Sequence, residues 1–94
     1  MKPKHAQDLY SLLARAKTEK DMRLLLGDLL SPKELATIAE RWQLVRMLSE
    51  GIPQRTIAAS LNISISKVTR GSLALKRSRG GFKKFLKMKP LRKK

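Results

Sequence analysis

Apolar residues recur along the chain at helical spacings, and β-branched residues sit singly within those spacings, so the sequence predicts an all-α fold. Leu9, Leu12, Leu13 and Ala16 share one face of a first helix over about residues 5–17. Thr18, three residues before Asp21, predicts the N-cap of a second helix through Leu26, with Gly27 loosening its end. Ser31-Pro32-Lys33-Glu34 is the best boundary. Ser31 caps, Pro32 fits the first helical position, and Glu34 reaches back to the cap's backbone N–H. The third helix then runs to about Glu50 and stops at Gly51. Leu35, Ile38, Trp42 and Val45 lie on one side of it, while Leu44, Met47 and Leu48 lie on others. A surface helix of a monomer shows one apolar stripe. Apolar residues all round predict burial between several layers, as in an intertwined dimer. The alternative is a central helix of a monomeric bundle, for which the chain has few other helices.

Beyond Gly51 the periods shorten. Ile57, Ala58 and Leu61 face inward on a two-turn helix from Gln54. Asn62-Ile63-Ser64 makes a turn in which Asn62 tolerates a left-handed conformation. Ser64 caps a fifth helix from Ile65 to about Leu75. Lys76-Arg77-Ser78-Arg79-Gly80-Gly81 reads as a linker, and Phe82, Phe85 and Leu86 form the apolar side of a final helix. Pro90 ends that helix, and Leu91-Arg92-Lys93-Lys94 frays.

Composition narrows the function. The chain has 94 residues and a formal charge of +15. Residues 1–50 carry 9 basic and 7 acidic side chains, 51–94 carry 13 basic and none acidic. The net charges are therefore +2 and +13. A single-sign half calls for a polyanionic partner, nucleic acid first and an anionic membrane second. Without Cys there is no disulfide or thiolate metal site. The expectation is a small soluble cytoplasmic protein with a modest core, with no membrane span and no apolar signal region. Residues 1–79 are expected to form one helical domain, and residues 80–94 a basic C-terminal helix and tail.

Residues 54–75 match a helix-turn-helix. Ile57, Leu61, Ile63 and Val68 have the spacing that two short helices need to share a core at a steep angle, with Ala58 small at their crossing. The second helix then protrudes and enters a major groove, with Ser64 at its start and Ile65, Ser66, Lys67, Thr69 and Arg70 facing out. Ser66 and Thr69 suit base edges or phosphates, and Ile65 suits thymine methyls. Lys67, Arg55 and Lys76 suit phosphates. The same residues also fit two packed helices with no DNA role. Gly71 interrupts the second helix where a side chain would normally seal the core, at a cost of about 1 kcal/mol relative to Ala. It leaves either a slot beside Arg70 or a close approach to another helix, and both readings stand.

Leu30-Ser31-Pro32-Lys33-Glu34, Arg41, Gln54-Arg55, and above all Thr69-Arg70-Gly71-Ser72 followed by Leu75-Lys76 resemble the tryptophan repressor family. The likeness covers about residues 24–76. It implies an intertwined all-helical homodimer that binds double-stranded operator DNA, with L-tryptophan as corepressor and no other cofactor or metal. The indole would lie between Arg41 and Arg70, since guanidinium planes stack well on aromatic rings. Arg70 would meet the carboxylate and Gly71 would leave room for the ring. Ser31 would offer its hydroxyl near the carboxylate. Carbonyls around Asp28 and Leu30 would accept from the ammonium group at a helix C-terminus. Ala74 stands where the family offers a further hydroxyl to that ammonium.

Two other classes compete. One is a ligand-independent DNA-binding protein of the same fold, in which Arg41 and Arg70 are structural. The other is membrane-surface or RNA binding through Phe82–Lys94, which alternates Phe and Leu with Lys. An enzyme is the weakest reading. His5 is alone near a terminus, no nucleophile–base pattern exists, and Glu34, Glu40 and Asp28 already have capping or surface roles.

Overall fold

Six helices make up the chain, in a computed structural model that describes residues 2–88. They are α1 Pro3–Ala14, α2 Glu19–Leu29, α3 Pro32–Ser49, α4 Gln54–Leu61, α5 Ile65–Lys76 and α6 Gly81–Lys87. No strand occurs among the described residues, so the fold is all-α. The expected helix stop at Pro90 and the frayed Leu91–Lys94 lie outside them.

Each predicted cap forms. Thr18 Oγ1 accepts from the Asp21 N–H at 3.0 Å. Ser31 and Glu34 bond reciprocally, the Glu34 N–H donating to Ser31 Oγ at 3.1 Å and the Ser31 N–H to Glu34 Oε1 at 2.8 Å. Ser64 Oγ accepts from the Lys67 N–H at 3.1 Å. Each cap satisfies a donor that the first turn would otherwise leave unpaired. Gly27 does not end α2, which continues to Leu29. Gly27 has nothing within 4 Å of the place where a Cβ would sit, so it is an exposed helical glycine. The helix ends where the residue before Pro32 is pushed toward extended backbone. Leu30 is the extended C-cap, and its N–H reaches the Leu26 carbonyl at 2.9 Å.

The chain divides into two units, Met1–Thr37 and Ile38–Lys94. The first holds α1, α2 and the start of α3. Neither α1 nor α2 contains a buried residue. Leu12, Ala16, Leu24 and Leu25, with Arg15, Asp21 and Asp28, line an open groove of about 400 Å³. The second unit holds a small core. Leu44, Ile57, Ala58 and Val68 cluster there, with Met47, Leu48, Ile52, Leu61 and Ile63 partly buried against them. Val45, Ile57 and Val68 are fully buried, which stabilises by roughly 1.5–3 kcal/mol per side chain. The many-sided apolar surface of α3 is only partly covered in the single chain. Leu44 and Val45 are buried, whereas Leu35, Ile38 and Trp42 are exposed.

Candidate nucleic-acid interface

α4 and α5 meet through a three-residue turn whose conformation follows from its sequence. Asn62 adopts φ 55°, ψ 50°, the left-handed region that Asn reaches more readily than most residues. The Ile63 N–H then reaches back to the Ala58 carbonyl at 3.0 Å. Ile63 tucks partly into the core and Val68 enters it fully from α5. Ala58, 8% exposed, lets the two helices approach.

This packing turns the other side of α5 outward. Ile65 is 47% exposed, and Ser66, Lys67, Thr69 and Arg70 are exposed beside it. Arg55 on α4 and Lys76 at the end of α5 are exposed too. All of the residues expected to meet DNA therefore lie in the second unit, and Ser64 already uses its hydroxyl as the α5 cap. Two of them carry contacts that local sequence does not announce. Lys67 Nζ lies 3.4 Å from Glu40 Oε1, which joins α5 to α3 across 27 positions. Thr69 Oγ1 lies 3.1 Å from the Ile65 carbonyl and 3.3 Å from Gln54 Oε1. Its single proton serves one of these acceptors at a time. Glu40 is thus more than a surface carboxylate, because it competes with any phosphate for Lys67.

The residues expected to hold a small ligand fall into two sets. Arg41, Arg70, Gly71 and Ala74 belong to the second unit, while Asp28, Leu30 and Ser31 belong to the first. Arg41, Arg70 and Ala74 are exposed. Gly71 is buried, and of the two readings open for it the single chain shows the close approach to another helix. A Cβ built at Gly71 would overlap Leu44 Cδ2 and stand 2.8 Å from Leu44 Cγ. The space is already filled by the Leu44 side chain, and the glycine permits α3 and α5 to approach closely. In the first set, Ser31 is engaged in the cap of α3. The bonds from the backbone N–H and then the hydroxyl of Ser31 hold the Glu34 carboxyl below its ordinary pKa.

A larger apolar groove, about 630 Å³, is lined by Trp42, Phe82, Phe85, Ser78, Arg79 and Gly81. No group of His, Cys, Asp and Glu among the described residues could hold a metal ion. None of their helices is long and apolar enough to cross a membrane.

A family model described as Trp repressor protein matches residues 4–89. The chain is therefore a transcription regulator and not an enzyme. It belongs to the Trp repressor family. Curated relatives carry the name Trp operon repressor homolog. The one from Chlamydia trachomatis serovar L2 is 40% identical over 81 residues, covering 85% of this chain and 86% of the relative. The Chlamydia caviae protein is 36% identical, covering 85% and 80%. The Xylella fastidiosa (strain M23) protein is 30% identical, covering 86% and 87%. No solved structure matches the chain.

Proposed function

We propose that this chain is a DNA-binding repressor of tryptophan-related genes that uses L-tryptophan as corepressor and acts as a cytoplasmic homodimer. The observation that carries the reading is the family match over residues 4–89, together with an exposed face of α5, the helix that Ser64 caps. In this reading α4 and α5 are a helix-turn-helix. Ile65, Ser66 and Thr69 face base edges, and Arg55, Lys67, Lys76 and the Ser64 end of α5 face phosphates. Arg41 and Arg70 hold the indole. Arg70 also takes the carboxylate, beside Ser31. Carbonyls around Asp28 and Leu30 take the ammonium group. A second copy of the chain covers the apolar faces that one copy leaves open, among them Leu9, Leu24 and Leu29.

Ala74 favours a second reading, a ligand-independent DNA-binding protein of the same fold, because it offers no hydroxyl to the ammonium group. Calorimetry separates the two. L-tryptophan binds the wild type, and Arg70→Ala weakens it by about 2 kcal/mol or more. Ala74→Ser tightens it by up to about 1 kcal/mol, the net value of one hydrogen bond, and leaves indole-3-propionate unchanged. Absence of any heat with L-tryptophan, alongside duplex binding that ignores it, would establish the ligand-independent reading.

A further inference from the structure

Lys76, Arg77, Arg79, Lys83, Lys84 and Lys87 follow one another between α5 and α6 with no acidic residue among them. All six are exposed, and none takes part in an ion pair among the described residues. The turn between the helices gathers part of this charge. Lys76 and Lys83, with Ser78, Gly80, Leu75 and Leu86, line one cavity of about 350 Å³. A water in the liquid occupies about 30 Å³, so that space holds a phosphate group with its hydration. On α6, Lys83, Lys84 and Lys87 share the side opposite Phe82 and Leu86. Phe82 and Leu86 are half-buried, so α6 presents its lysines to solvent.

We propose that the α5–α6 turn and the lysine face of α6 form a second binding site for duplex DNA. This site is independent of sequence and takes a different duplex segment from the one read by α5. The orientation rests on the helix-turn-helix reading. α5 has 12 residues, a length of about 18 Å at 1.5 Å per residue. A major groove is about 8.5 Å deep, so a helix that enters by its Ile65 end leaves Lys76 at the phosphate ridge and carries the turn and α6 beyond it. A phosphodiester backbone fits this surface better than a membrane does. A helix that lies in a bilayer surface needs its whole apolar side free, and although Phe85 is exposed, Phe82 and Leu86 beside it are turned partly into the protein.

The test is a bridging assay with the full chain. One random-sequence duplex is fixed to beads, a second is fluorescent and free, and the protein links them. Lys83→Gln/Lys84→Gln/Lys87→Gln changes only exposed side chains of α6, and circular dichroism checks that its helices persist. The variant should remain on the bead duplex while capture of the free duplex falls about tenfold. The slope of log affinity against log salt should flatten by 2 to 3 units, as roughly three lost phosphate contacts require. Undiminished capture by the variant would overturn the proposal. So would a wild type that captures phosphatidylglycerol vesicles and no free duplex. A separate variant, Arg55→Ala/Thr69→Ala, keeps the two readings apart. If it binds DNA as the wild type does while the lysine variant binds none, this surface stands and the helix-turn-helix reading fails.

Discussion

The two units of the chain differ in what they bury and in the charge they carry. Among the described residues Met1–Thr37 contributes none that is buried, although α1 and α2 each have an apolar side. Ile38–Lys94 contributes every buried residue among those described, including Val45, Ile57 and Val68. The first unit carries 7 basic and 5 acidic side chains, the second 15 and 2, so the net charges are +2 and +13. The second unit supports its own core through short connections and exposes cations. The first has sound caps and open leucines. Caps stabilise helix ends by about 1 kcal/mol each, and most helical stability in water comes from a packed face. The comparison teaches that local signals suffice to delimit helices, whereas a fold needs a surface to place them on. In the proposed dimer, the second copy supplies that surface for α1 and α2.

The sharpest way to break this comparison is dilution. If α1 and α2 are ordered only by a partner, each tenfold dilution removes about 1.4 kcal/mol of stability, and the melting temperature falls with concentration. A monomeric mass in the ultracentrifuge with a constant melting temperature would end the dimer reading. Next in size is a pair of alanine substitutions. Ile57→Ala, in the core of the second unit, should cost about 2–5 kcal/mol by chemical denaturation. Leu24→Ala, at a residue 62% exposed in one chain, should cost less than about 0.5 kcal/mol if nothing covers it. A cost near 2 kcal/mol at Leu24 would identify it as part of the interface.

Gly71→Val probes the tight contact in the second unit and should destabilise by about 1–3 kcal/mol through overpacking against Leu44. Leu44→Ala should relieve part of that cost in the double variant, a non-additivity readable from the four denaturation midpoints. The smallest expected effect lies in the first unit. The lowered pKa of Glu34 means that the folded carboxylate adds stability above its unfolded pKa and loses it as pH falls through the folded one. Fraying at the start of α3, followed by nuclear magnetic resonance, should therefore grow on acidification through and below the usual carboxylate range. Glu34→Gln should flatten that dependence.

Much of this was legible because caps and turns are written in adjacent residues. Thr18, Ser31 with Glu34, Asn62 and Ser64 each act on partners within five positions, and all the helices were placed to within a few residues. Gly27 misled because a glycine can stop a helix or sit inside one at modest cost, and only Leu30 and Pro32 show which applies. The contacts that define the candidate site were hidden for another reason. Glu40 with Lys67, and Leu44 with Gly71, join α3 to α5 across 27 positions. No periodicity within either helix encodes such a pairing. Trp42 with Phe82 and Phe85 is the same case, since aromatics 40 positions apart meet only once the helices are packed.

The Leu44–Gly71 contact also bears on how α5 opens and closes. α5 contains Ile65, Val68, Thr69 and Gly71, all weaker helix formers than alanine, so its own sequence gives it little cohesion. Its Gly71 packs against the isobutyl group of Leu44 on another helix. Opening of α5 becomes a sub-global event that starts when Leu44 withdraws, and the hydrogen-exchange rates of Thr69 to Leu73 follow the docking equilibrium of α3. The helix proposed to read DNA thus keeps its lifetime in a neighbour, where a change at one side chain can alter how long the reading surface stays formed.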